Sequence, residues 1–261
     1  MKKMIDRFVV LALAATLTAC GGGGGGGDET CSALRVVGGD SCSSGDGRSV
    51  ALIVSVDRSG NPLELCTGSF ISLTSILTSA HCAKGSGGAL IVLPGEKSFA
   101  ATELHVHPLY DGRDGSPFDV AIMKVATPSS VAPIPLLVSR IPEAGDKLIV
   151  YGFGLDENGQ EAIQRVQNSE APLKATNLVY EEYVNGNLFV SSDGSGAICQ
   201  GDSGGPTLAK AADGSYGIVG ITSATINGCA AIEGKPSLVA STQSQGTLDF
   251  IARVVPDAAV N

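Results

Sequence analysis

From residue 50 onward, apolar residues arrive in short runs broken by Gly, Pro, Asp and Ser. Residues 50–56 (Val-Ala-Leu-Ile-Val-Ser-Val) form a nearly continuous apolar run of strand length, as expected of a strand buried on both faces. Runs of the same style at 67–72, 76–79, 89–93, 100–107 and 120–125 predict further strands in the first half, and 147–151, 216–222 and 237–241 in the second. Between the halves lie Pro128, Pro133, Pro135 and Pro142, which cannot occupy a central strand and mark a crossover. Near the end, Leu248, Ile251 and Val255 recur at helical spacing, predicting a short closing helix over 246–255. The pattern predicts an all-β fold: two antiparallel β-barrels with a short C-terminal helix.

The first 35 residues follow a different logic. Lys2, Lys3 and Arg7 precede an apolar run from Phe8 to Leu17 that is too short to span a bilayer as a mature helix, the pattern of an export signal over 1–19. The run ends in Leu17-Thr18-Ala19-Cys20, which resembles the lipobox of bacterial lipoproteins. The resemblance implies cleavage before Cys20, its lipidation, and anchoring at the cell envelope. Gly21 follows the cysteine where Asp would signal inner-membrane retention, which is compatible with outer-membrane sorting. An ordinary secretory peptide cut near Ala19 is the alternative. Gly21 to Gly27 is an unbroken glycine run, a flexible tether of roughly 15 Å root-mean-square reach. It is not a phosphate loop, since no strand precedes it and no Lys-Ser/Thr follows. The expected organisation is a signal (1–19), a lipidated tether and propeptide (20–35) and one domain (36–261).

Composition narrows the partners. A chain of 261 residues with 43% apolar and 16% charged content is globular rather than disordered. The net charge of −9 excludes a nucleic-acid partner, because phosphate binding needs a basic face. Seven cysteines would leave one thiol over in an exported chain, and lipidation of Cys20 reduces them to an even set. No Cys-x-x-Cys occurs, and His105-Val106-His107 has no third ligand nearby, so neither a metal nor another cofactor is expected and these two histidines read as structural.

The chemistry concentrates in three places: Thr78-Ser79-Ala80-His81-Cys82, Asp119-Val120-Ala121-Ile122 and Gly201-Asp202-Ser203-Gly204-Gly205-Pro206. A serine hydroxyl is a weak nucleophile until a base sits within hydrogen-bond reach, and of the three histidines His81 is the candidate. Asp119 heads an apolar strand, where a carboxylate is costly to bury unless paired; the far nitrogen of His81 would pair it. These motifs in the order His, Asp, Ser resemble the chymotrypsin/trypsin-like serine proteases, over a stretch from Val36 to the C-terminus. The resemblance implies two β-barrels, the catalytic residues His81, Asp119 and Ser203, and an oxyanion hole of the Gly201 and Ser203 amides. It assigns disulfides Cys66–Cys82 and Cys199–Cys229, leaving Cys31 and Cys42 as the remaining pair.

The resemblance also makes Arg35-Val36-Val37-Gly38-Gly39 an activation site: cleavage after Arg35 would free a Val36 ammonium to meet Asp202, and a linker end is the bland alternative. Ala197 stands where trypsin-like members carry a pocket Asp, with Ile198 beside it; Ser223, Thr225 and Ser237 would line the walls. Such an apolar, narrowed pocket resembles elastase and implies small apolar residues at P1, graded because a methylene discriminates by only about 1–3 kcal/mol. The implied partners are a protein or peptide substrate, a separate activating protease and the membrane through the lipid anchor. Two other readings compete. A protease-like binding module without turnover is one; all three triad positions stand here, against it. An α/β-hydrolase is the other, and the His-before-Ser order and missing βα alternation reject it.

Overall fold

The computed structural model describes residues 49–93, 98–113, 115–126, 131–155, 173–226, 228–230 and 232–261. The signal, Cys20, the glycine tether, Cys31, Arg35, Val36 and Cys42 lie outside them. Two closed six-stranded antiparallel barrels follow one another along the chain. The first holds β1 (Val50–Val56), β2 (Pro62–Ser72), β3 (Ser75–Thr78), β4 (Gly88–Val92), β5 (Phe99–Val106) and β6 (Ala121–Val125) in the order β1-β2-β3-β6-β5-β4. The second holds β7 (Lys147–Gly152), β8 (Lys174–Val184), β9 (Asn187–Ser192), β10 (Pro206–Lys210), β11 (Tyr216–Thr225) and β12 (Pro236–Ser241) in the order β10-β11-β12-β9-β8-β7. A one-turn helix α1 (Ala80–Ala83) follows β3, and α2 (Gln245–Val254) closes the chain. Ser244 caps α2, its side chain accepting from the Thr247 N–H.

The continuous apolar run of β1 has a clear cause. Ala51 and Ile53 pack with Phe70, Ile76, Ile91 and Met123 inside the first barrel. Val50 and Leu52 face the other way, into a cluster shared with Tyr151, Leu208, Ile221 and Phe250 of the second half. Both faces of the strand are therefore buried, which removes the polar alternation of a half-exposed strand. The proline-rich stretch bridges the halves: Ile134 N–H donates to Phe70 O at 2.8 Å and Leu137 N–H to Ile218 O at 2.9 Å. Pro128 lies outside the described residues.

Strands β8, β9 and β10 were not expected from the apolar runs. Strand β8 carries Asn177, Glu181 and Glu182 among its apolar residues, so its run is broken. The better signal was its turn. Val184 pairs with Asn187, leaving Asn185-Gly186 as a two-residue loop with φ of 50° and 91°, the left-handed pair that a type I′ hairpin needs.

His107, read as structural, ties the first barrel to α2. It is 3% exposed, stacks on Phe118 with centroids 4.6 Å apart and meets the edge of Phe250 at 4.9 Å. Nε2–H donates to Gly246 O at 3.2 Å, and Nδ1 accepts from Leu109 N–H at 3.2 Å, so the neutral ring uses both nitrogens. Burial, with Arg253 nearby, holds its pKa below the ordinary 6.5. The unfolded chain therefore binds the extra proton first. The stability contributed by the neutral ring is complete above about pH 6.5 and is lost as pH falls through the depressed folded value. Urea midpoints should drop between pH 7.5 and 5, with a shallower drop in His107→Phe; equal slopes would contradict this.

Candidate functional site

Strand register brings two of the three motifs together. In the β3–β6 pair Thr78 stands opposite Ala121, so the chain just past Thr78 runs beside the chain just before Ala121. That places His81, on α1, against Asp119. His81 Nδ1–H donates to Asp119 Oδ2 at 2.7 Å and the His81 backbone N–H to Oδ1 at 2.9 Å. Ser223 Oγ–H donates to Oδ2 at 2.6 Å. Asp119 is wholly buried, and these three donors offset the loss of water around its charge. The His81 side chain keeps 21% exposure, so one edge of the ring faces solvent.

The serine comes from the other barrel. Thr67 of β2 fastens its loop: the Thr67 N–H donates to Ser203 O at 2.7 Å and Thr67 Oγ1–H to Gly201 O at 2.7 Å. Thr67 Oγ1 also accepts from the Phe153 N–H at 3.0 Å. The disulfide Cys66–Cys82 joins β2 to α1, tying the strand that grips the serine loop to the helix that carries His81. Gly204 sits at φ 82°, and a Cβ there would fall 2.1 Å from Thr78 Oγ1 and 2.3 Å from Thr67 O. Only glycine lets the serine turn press this closely against the first barrel.

Around the serine, Gly201 takes φ 92° and Asp202 is wholly buried. Asp202 Oδ1 accepts from the Gly154 N–H and Oδ2 from the Cys199 N–H, each at 2.8 Å. Among the described residues no acceptor is paired with the Gly201 or Ser203 amide. The second disulfide joins Cys199, just before this turn, to Cys229. Cys66, His81 and Cys82 fall within 4.8 Å of one another, yet the two sulfurs are bonded together and offer no thiolate to a metal.

The residues expected to line the pocket fall in three settings. Ala197 is buried, and Ile198 packs with Val190 and Val239 in the interior of the second barrel. Ser237 stands opposite Thr225 on β11 and Val190 on β9. Ser223 was expected as a wall residue, and its hydroxyl is spent on Asp119. Sequence reasoning also assigned no role to Thr67 or Ser79. Thr67 had no local signal, because the partners of its side chain lie more than 80 residues away; Ser79 stood within the histidine motif.

An imidazole held by a buried carboxylate is a base of the kind that activates a serine hydroxyl for acyl transfer. Comparison with known proteins agrees. A family model described as Trypsin matches residues 36–248. Trypsin V-A of Rattus norvegicus is 29% identical over 220 residues, covering 78% of this chain and 83% of the relative. A trypsin of Saccharopolyspora erythraea is 28% identical over 224 residues, covering 78% and 92%. An ovochymase of Halocynthia roretzi is 29% identical over 213 residues; these are 73% of this chain and only 13% of that protein's length.

Proposed function

The chain belongs to the trypsin family of serine proteases and is a serine endopeptidase, and we propose that His81, Asp119 and Ser203 carry its chemistry. The observation that carries this reading is the three-donor burial of Asp119 against His81 Nδ1. With a proton held on Nδ1, Nε2 is the basic nitrogen. It takes the Ser203 proton as Oγ attacks the peptide carbonyl, and Asp119 stabilises the resulting imidazolium. The oxyanion is received by the Gly201 and Ser203 amides. The imidazolium proton then passes to the leaving amine, and water repeats the sequence on the acyl-enzyme.

The finer reading is an exported zymogen anchored through Cys20 by residues 20–35, with 36–261 as the protease domain. Among the described residues no helix is long and apolar enough to cross a membrane. Cleavage after Arg35 frees the Val36 ammonium for Asp202. If Cys31 bonds Cys42, the cleaved domain stays on its tether. The relatives named trypsin do not transfer their specificity here, because Ala197 offers no charge to Lys or Arg. We assign small apolar P1 residues to the pocket. Lys235, two residues before Ser237, has a buried Nζ with no hydrogen-bond partner among the described residues, so P1 Glu is the informative competitor.

The test is labelling by a fluorophosphonate probe before and after cleavage at Arg35, followed by a P1 panel of Ala, Val, Phe, Arg and Glu. Labelling after cleavage alone, absent in Ser203→Ala, is expected, with Ala and Val cleaved best. No labelling of the cleaved protein would favour a binding module without turnover, and a Glu preference would assign the pocket to Lys235.

A further inference from the structure

Ser79 is wholly buried two residues before His81, at the N-cap of α1 with extended backbone (φ −78°, ψ 150°). A serine there ordinarily turns its hydroxyl to the first free amides of the helix. Here it makes no such bond. Its Oγ lies 3.4 Å from His81 Nε2, on the opposite side of the ring from the Nδ1 bonded to Asp119, and 2.9 Å from Cys82 Sγ. We propose that Ser79 is a positioning residue for the base, its hydroxyl holding the imidazole from the Nε2 side. The inference rests on the triad reading given above.

The two contacts of Oγ decide which charge state it serves. A hydroxyl has one proton and two lone pairs. Cys82 is in a disulfide, so its sulfur has no proton and can only accept. When His81 is protonated, Nε2–H points at an Oγ lone pair while the hydroxyl proton rests on the sulfur, and every donor has an acceptor. When the ring is neutral, Nε2 carries a lone pair that faces the oxygen lone pairs of a hydroxyl whose proton rests on the sulfur. The hydroxyl therefore favours the imidazolium, the state that follows attack by Ser203. Ser79 itself gives and takes no proton: the proton moves from Ser203 Oγ to Nε2 and on to the leaving amine. At 3.4 Å the contact is a secondary acceptor that leaves this transfer open. Asp119, bonded to the ring at Nδ1, is present in wild type and variant alike.

Ser79→Ala removes only the hydroxyl. The chain has three histidines, so the His81 imidazole resonance can be followed by NMR in the full chain cleaved after Arg35. The His81 titration midpoint should fall by about half a pH unit, about threefold in proton affinity, as for loss of one weak hydrogen bond to a charged group. The rate constant kcat should fall about three- to tenfold with KM within about twofold, the mark of an interaction made after binding. An unchanged midpoint overturns the proposal even if the melting temperature falls, because packing against the disulfide alone would lower stability without moving the titration. The NMR midpoint decides the role of Ser79 whether or not Ser203 labels; failure of the wild-type protein to label would instead count against the triad reading.

Discussion

Asp119→Asn will yield a folded protein whose kcat/KM is about ten-thousandfold below wild type, the loss that this substitution produces in related triads. The cause lies in the donors around the carboxylate. Asp119 accepts from His81 Nδ1–H, the His81 backbone N–H and Ser223 Oγ–H. Asparagine has nearly the same volume but only one acceptor oxygen. If that oxygen keeps the Ser223 hydroxyl or the backbone amide, the NH2 group faces Nδ1 and can bond it only if Nδ1 is unprotonated. The ring then carries its proton on Nε2 and has no lone pair for Ser203. Measured kcat/KM and probe-labelling rate should fall together, while the melting temperature changes modestly. A loss smaller than about tenfold would show that Asp119 does not set the tautomer.

Asp202→Ala should cost both stability and activity. The wholly buried carboxylate accepts from the Gly154 and Cys199 N–H groups, each at 2.8 Å. Hydrogen bonds to a charged group contribute about 1.5–3 kcal/mol each, and removing the acceptor leaves two donors in a site closed to water. The expected loss is about 3–5 kcal/mol in urea unfolding. The same residue closes the serine turn through its backbone, with Asp202 N–H on Cys199 O at 3.1 Å and Gly205 N–H on Asp202 O at 2.9 Å. The side chain also holds the Cys199 N–H at the entry to that turn; on the proposed reading, in which the Gly201 and Ser203 amides receive the oxyanion, its loss should abolish labelling of the cleaved protein as well. Asp202→Asn retains one acceptor oxygen and should fall between the two. An Asp202→Ala protein with wild-type midpoint and labelling would remove this residue from the account.

Much of the molecule was legible in the chain. The short apolar runs marked both barrels, and the strands that held them to view (β1, β6, β11) are those buried along most of their length. Strands β8 and β9 escaped because polar residues interrupt β8, although Asn185-Gly186 announced their hairpin. Cys66–Cys82 and Cys199–Cys229, assigned by resemblance, are both bonded.

The sequence by itself determined the β class, the His81–Asp119–Ser203 order and the absence of a charge at Ala197, because these depend on residue identity and local periodicity. Tertiary structure alone decided how the pieces meet. Thr67 grips a serine loop more than 130 residues away, Ser223 gives its hydroxyl to Asp119, and Ser79 makes no capping bond while its hydroxyl lies 3.4 Å from the imidazole. The side-chain partners of Thr67 and Ser223 are distant in the chain and are met only through barrel closure and strand register, and a chain read in one dimension carries neither.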